Sequence, residues 1–136
     1  MTLLTWTQDL DTGIDKIDQE HRKIVEFINE LHVIQNSPDH SRIGEVLEGL
    51  IEYTATHFTE EEEMMEQAGY PLTEIHKGVH CRFVDKVTDL AIQHRNGGNT
   101  LHQIMHLLEN WLFSHIRMND HGYVPTVEKA RVAGKL

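Results

Sequence analysis

The sequence predicts an all-α protein, an antiparallel up-down-up-down four-helix bundle with an N-terminal arm and a short C-terminal helix or tail. Three observations point to this fold class. Apolar residues recur at spacings of three and four in four separate segments, which is the period of an amphipathic helix. The connections between these segments are short, so consecutive helices are expected to be antiparallel neighbours. No segment alternates between polar and apolar residues for long enough to form a convincing strand.

The first two predicted helices are separated by a turn that contains a proline. The first begins near Asp15 or Asp18, since either residue suits an N-cap. It ends at Ser37-Pro38-Asp39, because the residue before a proline is disfavoured in the α conformation. The second runs from about Ser41 to about Gln67, and Gly69 is a suitable C-cap.

The third and fourth predicted helices are separated by a glycine-rich break. The third runs from about Leu72 to about His94 and is followed by Asn96-Gly97-Gly98-Asn99. The fourth begins near Thr100, a good N-cap, and is expected to end between Asn119 and Gly122.

The chain is predicted to form a single domain over residues 1–136. Its arm, about 1–13, is expected to pack across the bundle, which covers about 14–119. The tail covers 120–136 and is expected to carry one short helix up to Ala133.

The composition excludes several classes of partner. Lys and Arg total 12 against 22 Asp and Glu, a formal net charge of −10, so neither nucleic acid nor an anionic membrane surface is expected to bind. No apolar run approaches the ~20 residues of a membrane helix, and the N-terminus does not resemble a signal peptide. The single cysteine, Cys81, cannot form an intramolecular disulfide and suits a reducing compartment. The sequence therefore predicts a cytoplasmic protein without membrane insertion.

Eleven residues are histidine, and five of them fall on the inner stripes of the predicted helices. These five are His21, His57, His76, His80 and His115. Glu61 follows His57 by four residues and shares its face, while Asp120 follows His115 by five, at the predicted end of the helix. A buried polar group without a partner costs about 1–3 kcal/mol, and folding leaves a margin of only about 5–15 kcal/mol. A shared metal is the simplest way to satisfy so many polar groups.

The identity of the metal stays open at this point. Imidazole with carboxylate suits zinc, copper, iron or nickel, and seven groups are too many for one four-coordinate zinc, so a two-metal centre is the better count. Each feature alone has a simpler explanation. A lone histidine on an apolar stripe is more often a satisfied core residue, and three carboxylates of Glu60-Glu61-Glu62-Glu63 are expected in solvent. Only the combination on four helices favours a metal.

The sequence resembles the hemerythrin family, specifically its single-domain bacterial members, over nearly the whole chain. The matching segments are Trp6, Gly13-Ile14-Asp15-x-x-Asp18-x-x-His21, His57-Phe58-x-x-Glu61-Glu62-x-x-Met65, Tyr70-Pro71, His76-x-x-x-His80-x-x-Phe83 and Trp111-Leu112-x-x-His115-Ile116-x-x-x-Asp120-x-x-Tyr123. Each segment alone is a weak or moderate signal. Together, in order and on four helices, they are highly specific.

The resemblance implies a cofactor of two non-haem iron ions, a di-iron centre with an oxo or hydroxo bridge. His76, His80 and His115 would hold one iron, and His21 and His57 the other. Glu61 and Asp120 would bridge the pair. This set leaves one coordination position open, on the iron with two histidines, and the family binds dioxygen there.

The resemblance also implies an apolar pocket around the open position. The matching residues are Ile24, Phe58, Trp111, Leu112 and Ile116, whose expected role is to exclude water and protons. Ordinary core packing explains the same residues and is compatible with that role. The remaining histidines are expected at the surface or at helix ends, and Cys81 is expected to be a buried or interface thiol that faces away from the metals. These six histidines are His32, His40, His94, His102, His106 and His121.

The expected function is reversible dioxygen binding for oxygen transport, storage or delivery, by a monomer without enzymatic activity. The expected partners are dioxygen and an oxygen-consuming protein that accepts it. A ferritin-like oxygenase or iron store is disfavoured, because such bundles use Glu-x-x-His pairs and this sequence has none. A di-iron redox enzyme that reduces peroxide or nitric oxide, and a dioxygen-sensing module, remain as alternatives.

Overall fold

The structure is a computed structural model that describes residues 3–136, so the first two residues of the predicted arm lie outside it. The described residues form five α-helices and no strand. The helices are α1 (Asp15–Gln35), α2 (Ile43–Ala68), α3 (Thr73–Arg95), α4 (Leu101–His115) and α5 (His121–Val132). Helices α1 to α4 pack in sequence, and α1 also packs against α4, which closes the four-helix bundle. The predicted fold class is confirmed. None of the helices described is both long and apolar enough to cross a membrane.

The ends of α1 and α2 show how local sequence sets the helix boundaries. Gly69 adopts φ +73°, a left-handed conformation that suits glycine, and caps α2 as predicted. At the start of α1 the N-cap is Ile14, not an aspartate. Asp18 lies in the first turn, where its carboxylate accepts hydrogen bonds from the backbone amides of Thr12 and Gly13 at 2.8 and 3.1 Å. This carboxylate fixes the chain that leads into the helix.

The fourth helix does not end between Asn119 and Gly122, and this prediction is wrong. Residues Ile116–Asp120 form one turn of π-helix, and α5 follows it directly. The His121 N–H donates to the carbonyl of Ile116, five residues earlier instead of four. Asparagine, aspartate and glycine are weak helix formers, but Asp120 and Tyr123 are both fully buried, and tertiary packing outweighs propensity.

The bundle core is built in layers along the helix axes. Residues seven apart on a helix are two turns apart, or about 10 Å along its axis. Ile28, Leu50 and Leu108 each lie seven residues along their helix from one of the inner histidines. Each of the three is at most 2% exposed. On the opposite side of these histidines a smaller apolar cluster contains Ile17, Met65, Tyr123 and Val127. The histidines are therefore enclosed by apolar packing at both ends.

The N-terminal arm lies across α1 and α4. The backbone of Leu4 exchanges two hydrogen bonds with the Asn29 side chain, at 2.8 and 3.0 Å. Trp6 contacts Phe113 edge-on, with 6.3 Å between ring centroids, and Leu10 is fully buried. These contacts place the arm beside the histidine-containing end of α1.

Candidate metal centre

The seven side chains predicted to bind metal lie together in one buried layer of the bundle. This layer, which we call the histidine layer, consists of His21 from α1, His57 and Glu61 from α2, His76 and His80 from α3, His115 from α4 and Asp120 from the π turn. No member is more than 3% exposed. The structure therefore brings together residues that are up to 99 positions apart in the chain, from His21 to Asp120.

The π turn brings Asp120 onto the same side as His115. In a regular α-helix, five residues would rotate Asp120 by about 140° away from His115. The π turn accommodates one additional residue within a single turn, so both side chains reach the bundle interior. His115 Nε2 consequently lies 3.0 Å from Asp120 Oδ1.

Glu61 presents its two oxygens to different histidines. Its Oε1 lies 3.0 Å from His80 Nε2 and 3.3 Å from His76 Nε2. Its Oε2 lies 3.4 Å from His57 Nε2. One oxygen therefore faces α3, and the other faces a histidine on α2 itself.

The two oxygens of Asp120, like those of Glu61, face different histidines. Its Oδ1 lies 3.0 Å from Nε2 of both His76 and His115, while its Oδ2 lies 2.9 Å from His21 Nε2. Together the two carboxylates separate the histidines into a group of three (His76, His80, His115) and a group of two (His21, His57). This is the arrangement that two bridging carboxylates require.

The spacing of the donor atoms fits metal ions. Ligand atoms at right angles around a metal, with bonds of about 2.1 Å, lie about 3.0 Å apart. His80 Nε2 and His115 Nε2 lie 3.1 Å apart, and several of the oxygen-to-nitrogen distances are equally short. Of 11 buried side-chain atoms without a hydrogen-bond partner in residues 3–136, seven belong to the histidine layer. They are both nitrogens of His21, Nε2 of His57 and His76, Oε1 of Glu61 and both oxygens of Asp120.

Without bound metal, attraction between protonated histidines and carboxylates holds the histidine layer together. Burial alone would lower the pKa of His57, but the hydrogen bond to Glu20 and the nearby charge of Glu61 outweigh it and raise that pKa to about 10. Burial likewise opposes the charge on His76, and Asp120 and Glu61 raise its pKa to about 9. Burial would raise the pKa of Glu61, but the surrounding histidines hold it well below its usual value.

Metal uptake by the metal-free protein is expected to strengthen as pH rises from about 6.5 towards 9. Metals bind neutral imidazole, so protons on His57 and His76 have to leave. The same protons stabilise the metal-free fold fully below pH 6.5, and this stability is lost as pH rises through about 9 and 10. Cobalt titrations at several pH values, with proton release measured in weak buffer, test this. Uptake that is independent of pH would contradict it.

Three histidines are oriented by a hydrogen bond from the second ring nitrogen. The bonds join His57 Nδ1 to Glu20 at 2.8 Å, His80 Nδ1 to Glu62 at 2.7 Å and His115 Nδ1 to Asn119 at 3.1 Å. With the Nδ1 hydrogen engaged in this way, Nε2 is the atom left to bind a metal.

Sequence reasoning did not identify these three partners. Asn119 lies four residues after His115, and this spacing is a signal that could have found it. Glu62 belongs to the run whose other carboxylates were expected in solvent, and that expectation is wrong for Glu62, which is 23% exposed and bonded to His80. Glu20 meets His57 across two helices, a contact that no spacing within one helix predicts.

Tyr123 is a further residue that sequence reasoning left without a role. It is fully buried, and its hydroxyl donates a hydrogen bond to Glu61 Oε2 at 2.8 Å. Burial and the charge of Glu61 raise the pKa of Tyr123 well above its usual value. The hydroxyl therefore stays a neutral donor and fixes the Glu61 carboxylate.

Replacing Tyr123 with phenylalanine is expected to lower the free energy of unfolding by about 1–3 kcal/mol, because it removes a partner from a buried carboxylate. Urea denaturation of the metal-loaded protein measures this. Tyr53→Phe is the matched control, since Tyr53 is partly exposed and its ring packs against Phe27. If both variants lost the same free energy of unfolding, the Tyr123 hydroxyl would have no role in fixing Glu61.

The five residues predicted to form the ligand pocket lie beside the histidine layer. Ile24, Phe58, Leu112 and Ile116 are buried, and Trp111 is partly buried. Phe58 stacks on His80 and Trp111 on His115, with 3.7 and 4.3 Å between ring centroids. Both rings thus cover the group of three histidines.

The remaining histidines and the cysteine are placed as follows. His32 lies in the last turn of α1, a helix end as expected, but it is buried at 7% exposed, and its Nδ1 lies 3.6 Å from Glu109 Oε1. Cys81 is exposed, so the expectation of a buried thiol is wrong and only the alternative of an interface thiol stays a prediction. His40, His102 and His106 are exposed, as the sequence predicts, and His94 and His121 are half-buried.

A four-helix bundle whose core holds five histidines and two carboxylates defines a class, the helical-bundle proteins that bind metal between their helices. The sequence model described as "Hemerythrin HHE cation binding domain" matches residues 12–127. The chain therefore belongs to the hemerythrin family. The cofactor of this family is a di-iron centre, which the histidine layer can accommodate.

Named relatives and solved structures agree with this membership. A bacteriohemerythrin of Stenotrophomonas maltophilia is 43% identical over 128 residues, which cover 94% of this chain and 84% of that protein. A bacteriohemerythrin of Methylococcus capsulatus is 32% identical, covering 92% of this chain and 97% of that one. The crystal structure of a wild-type hemerythrin aligns with a TM-score of 0.84 at 31% identity, covering 93% of this chain and 98% of that chain.

Proposed function

We propose that this protein binds dioxygen reversibly at a di-iron centre in the histidine layer, for oxygen transport, storage or delivery. The observation that carries the proposal is the buried set of five histidines and two carboxylates whose unpartnered atoms converge. Membership of the hemerythrin family supports iron as the metal.

The proposed ligands follow the division made by the carboxylates. His76, His80 and His115 would hold one iron, and His21 and His57 would hold the other. Glu61 and Asp120, whose oxygens face both groups, would be shared by the two. The distances of 2.9 to 3.4 Å between their oxygens and the histidine nitrogens support these roles. A bound iron pair would supply the two electrons that dioxygen accepts on binding and would recover them on its release.

The two groups differ in their number of histidines, and this difference supports a single open coordination position for dioxygen. The group of two offers one nitrogen fewer than the group of three, so the proposed open position lies on the side of His21 and His57. The buried side chains of Ile24, Phe58, Leu112 and Ile116 keep water away from the layer. Excluding water and protons favours release of the bound gas as dioxygen.

We propose that the protein is a dioxygen-binding protein and not an enzyme. The nitrogen-rich donor set gives less anionic support to high-valent iron than the glutamate-rich sites of ferritin-like oxygenases do. We further propose a single domain, a monomeric state, a cytoplasmic location and an oxygen-consuming protein as the acceptor. The acidic charge of −10 suits an acceptor with a basic surface.

An absorption spectrum with and without dioxygen, paired with metal analysis, tests the function. We expect two irons per chain and a visible band that forms with dioxygen and disappears under vacuum. A colourless protein that contains zinc would refute the proposal. Rapid turnover of peroxide or nitric oxide by the iron-loaded protein would instead favour a redox enzyme.

A further inference from the structure

A small cavity lies in the core of the bundle, next to the histidine layer but outside it. Its volume is about 10 Å³. Ile28, Leu50 and Leu108 form its far wall, seven residues from His21, His57 and His115 on their respective helices. Since seven residues span about 10 Å of helix, the cavity lies between one and two turns from the metal ligands.

The cavity is unsuited to water. About 10–15 Å³ is enough for one water molecule, but a buried water needs two to four polar partners. All the wall surface that is accessible from within the cavity is apolar. Thr54 is the one polar residue among those that line it, and its buried hydroxyl has no hydrogen-bond partner. A water molecule placed here would lose most of its hydrogen bonds.

A small apolar gas fits the same space without that cost. Dioxygen is uncharged, only slightly larger than water, and gives up no strong hydrogen bonds on leaving solvent. Empty apolar cavities in protein cores bind apolar ligands and noble gases for this reason. Size and wall chemistry therefore select one class of ligand.

The near wall connects this cavity to the proposed ligand pocket. Ile24, Trp111 and Leu112 line the cavity and also belong to that pocket. A molecule in the cavity would be separated from the histidine layer by a single layer of side chains.

We propose that the cavity is a binding site for one small apolar gas molecule, and that dioxygen occupies it before reaching the histidine layer. The second part, the role in dioxygen delivery, rests on the proposed dioxygen-binding function. The first part, the binding of an apolar gas in the cavity, does not depend on that function.

Crystals of the iron-loaded protein under xenon pressure test the binding site directly. We expect an anomalous-scattering peak for xenon between Ile28, Leu50 and Leu108. Thr54→Val keeps the side-chain volume and is expected to keep the xenon peak. Thr54→Ile adds one methyl group to the wall relative to Thr54→Val and is expected to abolish the peak. An ordered water in the cavity, or no xenon in the wild-type protein, would overturn the proposal.

The rate of dioxygen association tests the role in delivery. We expect Thr54→Ile to slow association several-fold while iron content stays unchanged. Thr56→Ile is the matched control, because Thr56 lies on the same helix but is exposed. Xenon added to the wild-type protein is expected to slow association in the same way, and this measurement needs no variant to fold.

The outcomes separate the cavity from the proposed function. Xenon binding with an unchanged association rate in both experiments would overturn the delivery role and leave dioxygen binding at iron intact. An iron-loaded protein that takes up xenon but never binds dioxygen would refute the proposed function, and with it the delivery role, while gas binding in the cavity stands.

Discussion

Replacing His115 with alanine is expected to remove iron from the protein and to lower its melting temperature by roughly 10 °C or more. His115 Nε2 lies 3.0 Å from Asp120 Oδ1 and 3.1 Å from His80 Nε2, so its loss opens the group of three histidines. It also leaves Asp120, a fully buried carboxylate, with one partner fewer. Breaking a buried charged pair costs about 3–5 kcal/mol, and metal affinity is part of the folding free energy.

Metal analysis and thermal unfolding of the purified variant measure both effects. His106→Ala is the matched control, because His106 lies on the same helix and is exposed. We expect the control to keep the wild-type iron content and melting temperature. If His115→Ala had the same iron content and melting temperature as the control variant, His115 would not be a ligand.

Two single-residue deletions in the fourth helix are expected to have opposite outcomes. Deletion of Met118, which is 78% exposed, removes the additional residue of the π turn. Asp120 then lies four residues after His115, on the same face of a regular α-helix, and α5 keeps its orientation. We expect this variant to bind iron. Deletion of Asn110 in the regular part of α4 rotates all following ligands by about 100°, and we expect it to lose iron.

Met118→Ala and Asn110→Ala serve as controls for loss of the side chains alone, since both residues are exposed. Iron content and helical content by circular dichroism are measured for all four variants. Equal loss of iron in both deletions would show that the π turn is not a one-residue insertion into an α-helix.

The periodicity of each helix is enough to predict the bundle and the inner position of five histidines. Spacing within a helix accounts for Glu61, four residues after His57. It misplaces Asp120, because a turn of π-helix between Ile116 and Asp120 has no signal in the apolar pattern. The sequence offers Asp120 as a candidate at the predicted end of the helix, but its bridging role comes only from the resemblance to a family.

The hydrogen bonds that orient the ligands were predicted least well. Glu20 and Glu62 reach His57 and His80 from neighbouring helices, and these contacts depend on the relative axial position of two helices. A single sequence contains the period of each helix but not the offset between them. For the same reason, burial of His32 against Glu109 could not be predicted.

The positions of the two tryptophans have a consequence for optical measurements. The chain has two tryptophans, and each lies beside a different group of histidines. The Trp6 ring is 6.5 Å from that of His21, and the Trp111 ring is stacked on that of His115 at 4.3 Å. Paramagnetic ions quench nearby indole emission over such short distances. The intrinsic fluorescence of the protein therefore contains two built-in probes, one for each half of the centre.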